Sequence, residues 1–359
     1  MFVASRDLRF AKGRFALMGT VIVLITLLVG LLSGLTAGLA RENVSAITGL
    51  PADRIAFAAP PAGQSVSFTN STVTGKQADA WAERPGVTGA APLGIRTLNA
   101  VAGDRTAAVS AFGTAPGDGL APAAVAPGRA ALSASAAEEL GVRAGDAVRL
   151  GPLDVTVTAV AGDASYSHTP VVWTSLADWQ RLGHAAAGET GDQATVLALR
   201  GDGVDWAAGD AAAGTETRTV DGALTAIGSY QAENGSLQLM RGFLFVISAL
   251  VIGAFFTVWT IQRSGDVAVL KALGASTPYL LRDALGQAVL MLTAGTLLGT
   301  GLAVGIGALV SGGDVPFVLE PLTVLTPAAV IIVLGVIGSA LSIRRITAVD
   351  PLTALGSAR

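Results

Sequence analysis

Four long apolar stretches dominate the pattern of hydrophobic and polar positions along the chain. None of them has a charged side chain in its central part, and they cover Phe15–Ala40, Gly242–Gln262, Ala284–Val310 and Leu325–Ile343. An α-helix needs about 20 apolar residues to cross a bilayer, so each stretch is long enough to span one. The pattern therefore predicts four transmembrane helices. Because mid-membrane charges are missing, it argues against a proton-relay or ion-coupled transporter.

The first stretch has a second interpretation, because it ends in the small residues Ala37–Ala40. A cleaved signal peptide ends in this way, but its apolar core is usually only about 7–15 residues long. We therefore expect a retained first helix over 15–40.

The distribution of positive residues predicts the orientation of the helices. Lys and Arg are frequent in segment 1–14, in loop 263–283 and in tail 344–359, whereas loop 311–324 has Asp314 and Glu320 and neither Lys nor Arg. Cytoplasmic segments carry the excess of positive residues. We expect a plasma-membrane protein whose two termini and 263–283 loop are cytoplasmic, with 41–240 and 311–324 outside.

Residues 41–240 carry mixed helix and strand signals. Asp154–Val160 alternates with the period of two that is typical of a half-buried strand, and Gly63–Thr74 also has strand character. Ser133–Leu140 and Leu176–Leu182 have the pattern of short helices. The predicted fold is a membrane α-helical protein with four transmembrane helices and a two-lobed α+β extracellular domain between helices 1 and 2.

Composition and motifs exclude several function classes. The net charge is −3 and cysteine is absent, which argues against nucleic-acid binding and excludes disulfides and thiolate metal sites. No phosphate-binding Gly-x-x-x-x-Gly-Lys-Ser/Thr run or hydrolase motif occurs, so we expect no catalytic residues, no metal site and no cofactor of its own. His168 and His184 are expected to be surface-loop histidines.

A short polar-flanked segment, Arg263–Ser276, separates the second and third apolar stretches. Val267, Leu270 and Leu273 recur at helical spacing with Lys271 beside them, and Gly274 can end a helix. Thr277 is the expected N-cap of the next helix and Pro278 belongs to its first turn. From the residues alone this is either a short amphipathic helix that docks a partner or a tight turn between two membrane helices.

The run Val269–Ser276 (Val-Leu-Lys-Ala-Leu-Gly-Ala-Ser) and the ending Ile343–Leu355 resemble the coupling loop and the C-terminus of FtsX/MacB-type ABC transporter permeases. Gly286-Gln287 departs from the family, in which many relatives have a Glu at this place. Leu140–Leu182 resembles, less specifically, the smaller extracellular lobe of MacB-type permeases.

The resemblance implies partners that composition does not show. It implies two copies of a separate ATPase subunit, which binds the ATP and Mg. Four spans are few for a complete pathway, so we also expect a homodimer in the lipid membrane. The residues expected to contact that ATPase are Val267, Leu270, Lys271, Leu273, Gly274, Ala275 and Ser276.

Charged and polar residues gather near the outer ends of the first two spans. They are Arg41, Glu42, Tyr230, Glu233, Met240 and Arg241. If the two helices are neighbours, these residues suit an amphiphile with anionic arms; haem fits, with arginines for its propionates and Glu233, Tyr230 or Met240 for its iron. Ordinary interfacial anchoring is the alternative.

Gly30, Gly34 and Gly38 form a small-residue face on the first span, and we expect them to pack in the dimer.

Length and layout resemble haem-exporting permeases of the HrtB kind, so export of an amphipathic compound, haem first, is the expected function. The alternatives are export of a lipoprotein, peptide or antibiotic, and an FtsX-like signalling module that controls an extracellular cell-wall hydrolase.

Overall fold

The computed structural model describes residues 12–183, 192–262, 265, 269, 271, 273–310 and 315–347. The chain forms two compact units. The membrane unit contains the residues up to Gly38 and those from Ser236 onward, and the α+β unit is Leu39–Gly235. Each unit is described by itself.

The helices of the described chain are α1 (Lys12–Thr48), α2 (Gly75–Ala82), α3 (Ala134–Leu140), α4 (Leu176–Leu182), α5 (Trp206–Ala213), α6 (Val220–Ala223), α7 (Gly228–Gln262), α8 (Thr277–Val310) and α9 (Pro321–Thr347). A 3₁₀ turn covers Leu224–Ala226. Four of these helices, α1, α7, α8 and α9, are long and apolar enough to cross a membrane. The prediction of four membrane helices is confirmed.

Helices α1 and α7 are longer than their apolar stretches. With 37 and 35 residues, each is far longer than the roughly 20 residues that a bilayer requires. The last turns of α1 bury Val44 and Ile47 in the core of the α+β unit. The apolar stretch ends at Ala40 because polar residues follow, but packing against this core keeps the chain helical.

The membrane unit is held together by a core that draws on all four long helices. Buried side chains from each of them form one cluster, with Ile22 and Val29 from α1, Ile252 and Phe256 from α7, Leu292 from α8 and Ile331 from α9. Shape complementarity and dispersion therefore stabilise this unit, because lipid removes the hydrophobic driving force between spans.

The glycine face of α1 makes close contacts within the chain. A Cβ added at Gly34 would overlap the ring of Phe317, and one added at Gly38 would overlap the backbone of Pro316. The Phe317–Val318 segment is fixed further by the Val318 N–H, which donates to the Gly34 carbonyl at 3.1 Å. This close contact explains why glycine occupies these positions. The predicted role of the three glycines in a dimer stays a prediction.

The strands of the α+β unit are β1 (Arg54–Ala58), β2 (Val73–Thr74), β3 (Val87–Ala102), β4 (Arg105–Thr114), β5 (Arg129–Leu132), β6 (Ala147–Leu150), β7 (Leu153–Val160), β8 (Ser165–Tyr166), β9 (Thr169–Ser175), β10 (Gln193–Ala194), β11 (Val196–Gly201) and β12 (Thr215–Thr219). Among the described residues one sheet has the order β12-β1-β11-β3-β4-β9-β5-β7-β6, with β8 on β9. Strands β2 and β10 pair separately.

The long strand β3 joins two parts of the sheet. Near its end, Ala100 and Val101 pair with Leu150 and Arg149 of β6, which closes β3, β4, β9, β5, β7 and β6 into a ring. One core of small aliphatic residues belongs to this ring, and two others lie along β1, β11 and the first half of β3. The α+β fold predicted between the first two membrane helices is confirmed.

The expected strand over Gly63–Thr74 is wrong except at its last two residues, which form β2. The segment is irregular although Val66 and Phe68 are buried. Its polar groups bond to other segments instead of a ladder: the Phe68 N–H donates to the Ala226 carbonyl, and the Ser71 hydroxyl donates to the Thr195 carbonyl. These bonds replace a neighbouring strand.

We expect Gly34→Leu to destabilise the permease, because the new side chain collides with Phe317; overpacking of this kind costs about 1–3 kcal/mol. Gly301→Leu is the matched control, since a Cβ there meets nothing within 4 Å. Thermal unfolding of the detergent-solubilised protein measures the difference. Adding Phe317→Ala to Gly34→Leu should restore part of the loss, and equal losses in the two leucine variants would contradict the contact.

Candidate functional site

Strands β8 and β9 form a tight hairpin whose tip consists of Ser167 and His168. Both residues have positive φ, 50° and 61°. Tyr166 and Thr169 pair on either side, so the loop has two residues and the backbone of a type I′ turn. Burial raises the pKa of the Tyr166 hydroxyl, which therefore stays neutral below this tip.

The backbone of the tip is bonded to the end of α1. The Ser167 N–H donates to the Asn43 carbonyl at 2.9 Å, and the His168 N–H donates to the Glu42 carbonyl at 3.3 Å. Both carbonyls lie in the last two turns of α1, which ends at Thr48. The hairpin tip is thus docked near the C-terminus of the first long helix.

The side chain of His168 lies between two carboxylates. Its Nε2 is 2.8 Å from Oε2 of Glu233, and its Nδ1 is 3.7 Å from Oε2 of Glu42. His168 lies in a loop and is partly exposed, as expected, but the sequence did not predict its two carboxylate partners. His184 lies outside the described residues. The hairpin carries the imidazole to α1 on one side and to α7 on the other.

Asn43 completes this group of residues. Its amide Nδ2 donates to Glu233 at 3.1 Å, and its Oδ1 accepts from the Ser229 hydroxyl at 2.9 Å. The Ser229 and Ser167 hydroxyls are also 2.9 Å apart. We refer to these six residues as the junction: Glu42, Asn43, Ser167, His168, Ser229 and Glu233.

The junction is a hydrogen-bonded network and does not have the geometry of a metal centre. Glu42 and Glu233 face different nitrogens of the imidazole, so the three side chains do not converge on one point. Over the residues that the structure describes, no group of three or more histidine or carboxylate side chains is arranged to hold a metal ion.

The six residues predicted to bind cargo are divided between the two units. Arg41, Glu42, Tyr230 and Glu233 belong to the α+β unit. Among them the structure links Glu42 and Glu233 through His168, leaves Arg41 exposed on α1, and packs Tyr230 against the hydrophobic core.

Met240 and Arg241 belong to the membrane unit. The Arg241 guanidinium donates from Nη2 to the Thr36 hydroxyl of α1 at 2.7 Å, and that hydroxyl donates to the Ser33 carbonyl at 3.0 Å. Thr36 is buried, whereas the Met240 side chain is half exposed. Arg241 is therefore held by the first membrane helix while its neighbour faces outward.

Sequence reasoning missed the residues that hold these groups in place. Asn43, Ser167, Ser229 and Thr36 are small or medium polar residues in helical or turn segments, and their partners are distant in sequence. The one available signal was Tyr166–Thr169, where a histidine follows a serine in a two-residue turn.

The coupling segment is described in part. Val267 and Leu270 lie outside the described residues, whereas Lys271, Leu273, Gly274, Ala275 and Ser276 lie within them. Leu273 is 80% exposed, and Gly274 has a φ of 95° while its N–H donates to the Lys271 carbonyl at 3.1 Å. Gly274 therefore ends a helical turn as expected, and an apolar side chain projects beside it.

Helix α8 starts one residue earlier than the pattern predicted. Thr277 is its first residue, and the Ser276 carbonyl accepts from the N–H groups of Tyr279 and Leu280. Ser276 thus has the N-cap position that we expected for Thr277.

Two family descriptions match the chain. Residues 15–216, more than half of its length, match the MacB-like periplasmic core domain, and residues 239–351 match the FtsX-like permease C-terminal family.

Individual proteins are similar over different extents. A hemin transport system permease protein HrtB of Staphylococcus epidermidis is 32% identical over 146 residues, which is 40% of this chain and 41% of that protein. An ABC transporter permease of Mycobacterium bovis is 25% identical over 99% of both chains. The crystal structure of the periplasmic region of MacB from Actinobacillus actinomycetemcomitans has a TM-score of 0.34 and 11% identity, covering 49% of this chain and 92% of that one.

The two family matches, in this order along the chain, agree with the architecture described above. An α+β core domain lies between the first and second of four membrane helices, and the FtsX-like region covers the remaining three. The chain belongs to the FtsX/MacB-type family of ABC transporter permeases.

Proposed function

We propose that this permease subunit exports an amphipathic compound, haem first, with energy from a partner ATPase. The observation that carries the proposal is an exposed apolar stripe on α7 with a cation at the level where the stripe starts. Leu239, Phe243, Val246 and Leu250 recur at helical spacing and are each more than half exposed. Arg241 lies at the same level as Leu239 but about 200° round the helix. It is held there by the Thr36 hydroxyl of α1.

This part of α7 suits a cargo with an apolar body and an anionic arm. The stripe offers apolar area to the body, and the Arg241 guanidinium is suited to pair with a carboxylate. Haem has both parts, and the half-exposed thioether of Met240 is an iron ligand of a known kind. The name of the HrtB relatives, which match over 146 residues or fewer, supports haem as the first cargo to test.

We assign the remaining predicted cargo residues a supporting role at the α+β unit. The Glu42 and Glu233 side chains are 44% and 43% exposed, so each keeps a face that water or a ligand can reach while the other face contacts His168. Arg41 stays a proposed cargo residue of the α+β unit. Tyr230 is the weakest member of the set because its ring packs on the core.

The proposed assembly is a homodimer with two ATPase subunits, which bind ATP and Mg. Both termini and the coupling segment face the cytoplasm, and the α+β unit faces outward, as the distribution of Lys and Arg predicts. Closure of the ATPases would push on Val267, Leu270, Lys271, Leu273, Gly274, Ala275 and Ser276. The rigid helix α8 would carry this movement into the membrane.

The α+β unit favours transport over signalling alone. An FtsX-like module that controls a cell-wall hydrolase needs the same membrane helices and a smaller outer domain, whereas this unit covers Leu39–Gly235 and has a ring-shaped lobe of its own. Lipoprotein, peptide or antibiotic cargo would use the same stripe on α7, and the titration below separates haem from these.

We expect the purified permease to bind haemin saturably, and Arg241→Ala to weaken binding by about tenfold, because one charge-assisted hydrogen bond contributes about 1.5–3 kcal/mol. Titration followed by Soret absorbance measures this. Met240→Leu should keep the apolar volume and change the absorbance maximum if the thioether contacts iron.

Arg149→Ala is the matched control for charge, because Arg149 is an exposed arginine paired with Asp154 in the α+β unit. If haemin only partitions into detergent without saturation, and does so equally in all variants, haem is excluded as the cargo. The family assignment does not depend on this result.

We expect Leu273→Asp to abolish the stimulation of the partner ATPase by the permease, because it places a charge in an apolar docking contact. Leu273→Met keeps an apolar side chain at the same position and should retain stimulation. ATP hydrolysis by the reconstituted complex is the measurement, with membrane insertion checked in parallel. Full stimulation in the aspartate variant would contradict the docking role.

A further inference from the structure

The tip of the β8–β9 hairpin has an unfavourable backbone conformation. Ser167 and His168 both have positive φ, and every other residue with positive φ in the described chain is a glycine. Side chains with a Cβ rarely adopt this region, and type I′ turns favour Asn-Gly for that reason. Conformations of this kind persist where the surroundings impose them, and they concentrate at functional sites.

Two sets of contacts impose this conformation. Below the tip, the Tyr166 ring packs edge-on against Phe68 and Phe112, with centroids 5.8 Å and 5.6 Å away. Above it, the Ser167 and His168 N–H groups donate to carbonyls of α1. The hairpin is therefore fixed in the core at its base and to a helix end at its tip.

The imidazole contacts two helices through its two nitrogens. The contact with Glu233 of α7 is a hydrogen bond of 2.8 Å, whereas the contact with Glu42 of α1 is longer, at 3.7 Å. Nε2 also lies 3.2 Å from Nδ2 of Asn43, so this nitrogen contacts both helices. Asn43 and Ser229 link the same two helices independently of the imidazole.

We propose that the Ser167–His168 tip is a latch: His168 is a positioning residue that ties the spacing of the α1 and α7 ends to the α+β unit during the ATP-driven cycle. This inference rests on the proposed function. Because α1 and α7 continue as membrane helices, any change in their spacing reaches the imidazole directly, and the hairpin passes it to the sheet through β9.

The test replaces the tip by the residues that its backbone prefers. Ser167→Asn with His168→Gly keeps the type I′ turn and removes the imidazole, and Ser167→Asn alone keeps the imidazole and is the matched control. The chain has no cysteine, so Asp104→Cys and Gln262→Cys can carry spin labels without other changes. Pulsed EPR of the full permease with its ATPase in nanodiscs compares the label distance without nucleotide and after trapping with ATP and vanadate.

We expect the distance to change on trapping in the unsubstituted protein and in Ser167→Asn, and the change to be lost in the double variant. The melting temperature of the double variant should rise by about 2–4 °C, because relief of two strained residues exceeds the loss of partly exposed ion pairs. If the tip had only a structural role, the double variant would have a lower melting temperature and would retain the movement.

Two outcomes overturn the latch: movement that persists in the double variant, or a melting temperature that falls in parallel with the movement. If the unsubstituted protein shows no change on trapping, the proposed ATP-driven function fails, and the latch fails with it. The two failures are therefore distinguishable from the unsubstituted protein alone.

Discussion

The structure depends on two helices that remain helical on both sides of a boundary. In the bilayer every backbone polar group needs an internal partner, which makes α1 and α7 helical across the membrane. Beyond it, water would allow the chain to unravel, but Val44 and Ile47 of α1 are buried in the core of the α+β unit. The chain enters that unit through the last turns of α1 and leaves it through the first turns of α7.

Inside the membrane unit, small residues stabilise helix packing, a role that large apolar residues have in water-soluble proteins. Burial of a leucine brings little there, because lipid is as apolar as the protein, and close approach becomes the stabilising factor. Gly34 and Gly307 both lie against the Phe317 ring, and the Val318 N–H bonds to the Gly34 carbonyl. A segment between two membrane helices is thereby fixed against α1. The close approach therefore needs both the absence of side chains at the glycines and the ring of Phe317 that fills the space.

Features with a local cause could be predicted from the sequence. Hydropathy over a window defines the membrane helices, and the Ser133 and Ser175 caps with their following residues define α3 and α4. The strand at 153–160 follows from alternation. The junction could not be predicted, because Asn43 and His168 are 125 positions apart and His168 and Glu233 are 65 apart. The strand prediction for segment 63–72 was wrong for a related reason. The polar groups of this segment bond to distant segments, which a strand pattern does not reveal.

The tip of the hairpin shows how local and long-range requirements compete at one place. Local turn chemistry favours Asn-Gly, yet the chain has Ser-His there and bears the conformational strain. Stability alone does not select this pair, since partly exposed ion pairs contribute at most about 1 kcal/mol and strained residues cost about 1–3 kcal/mol each. A glycine could hold the turn but could not reach Glu42 and Glu233. The imidazole is therefore better explained by what it connects than by what it stabilises, and it connects the end of α1 to the start of α7.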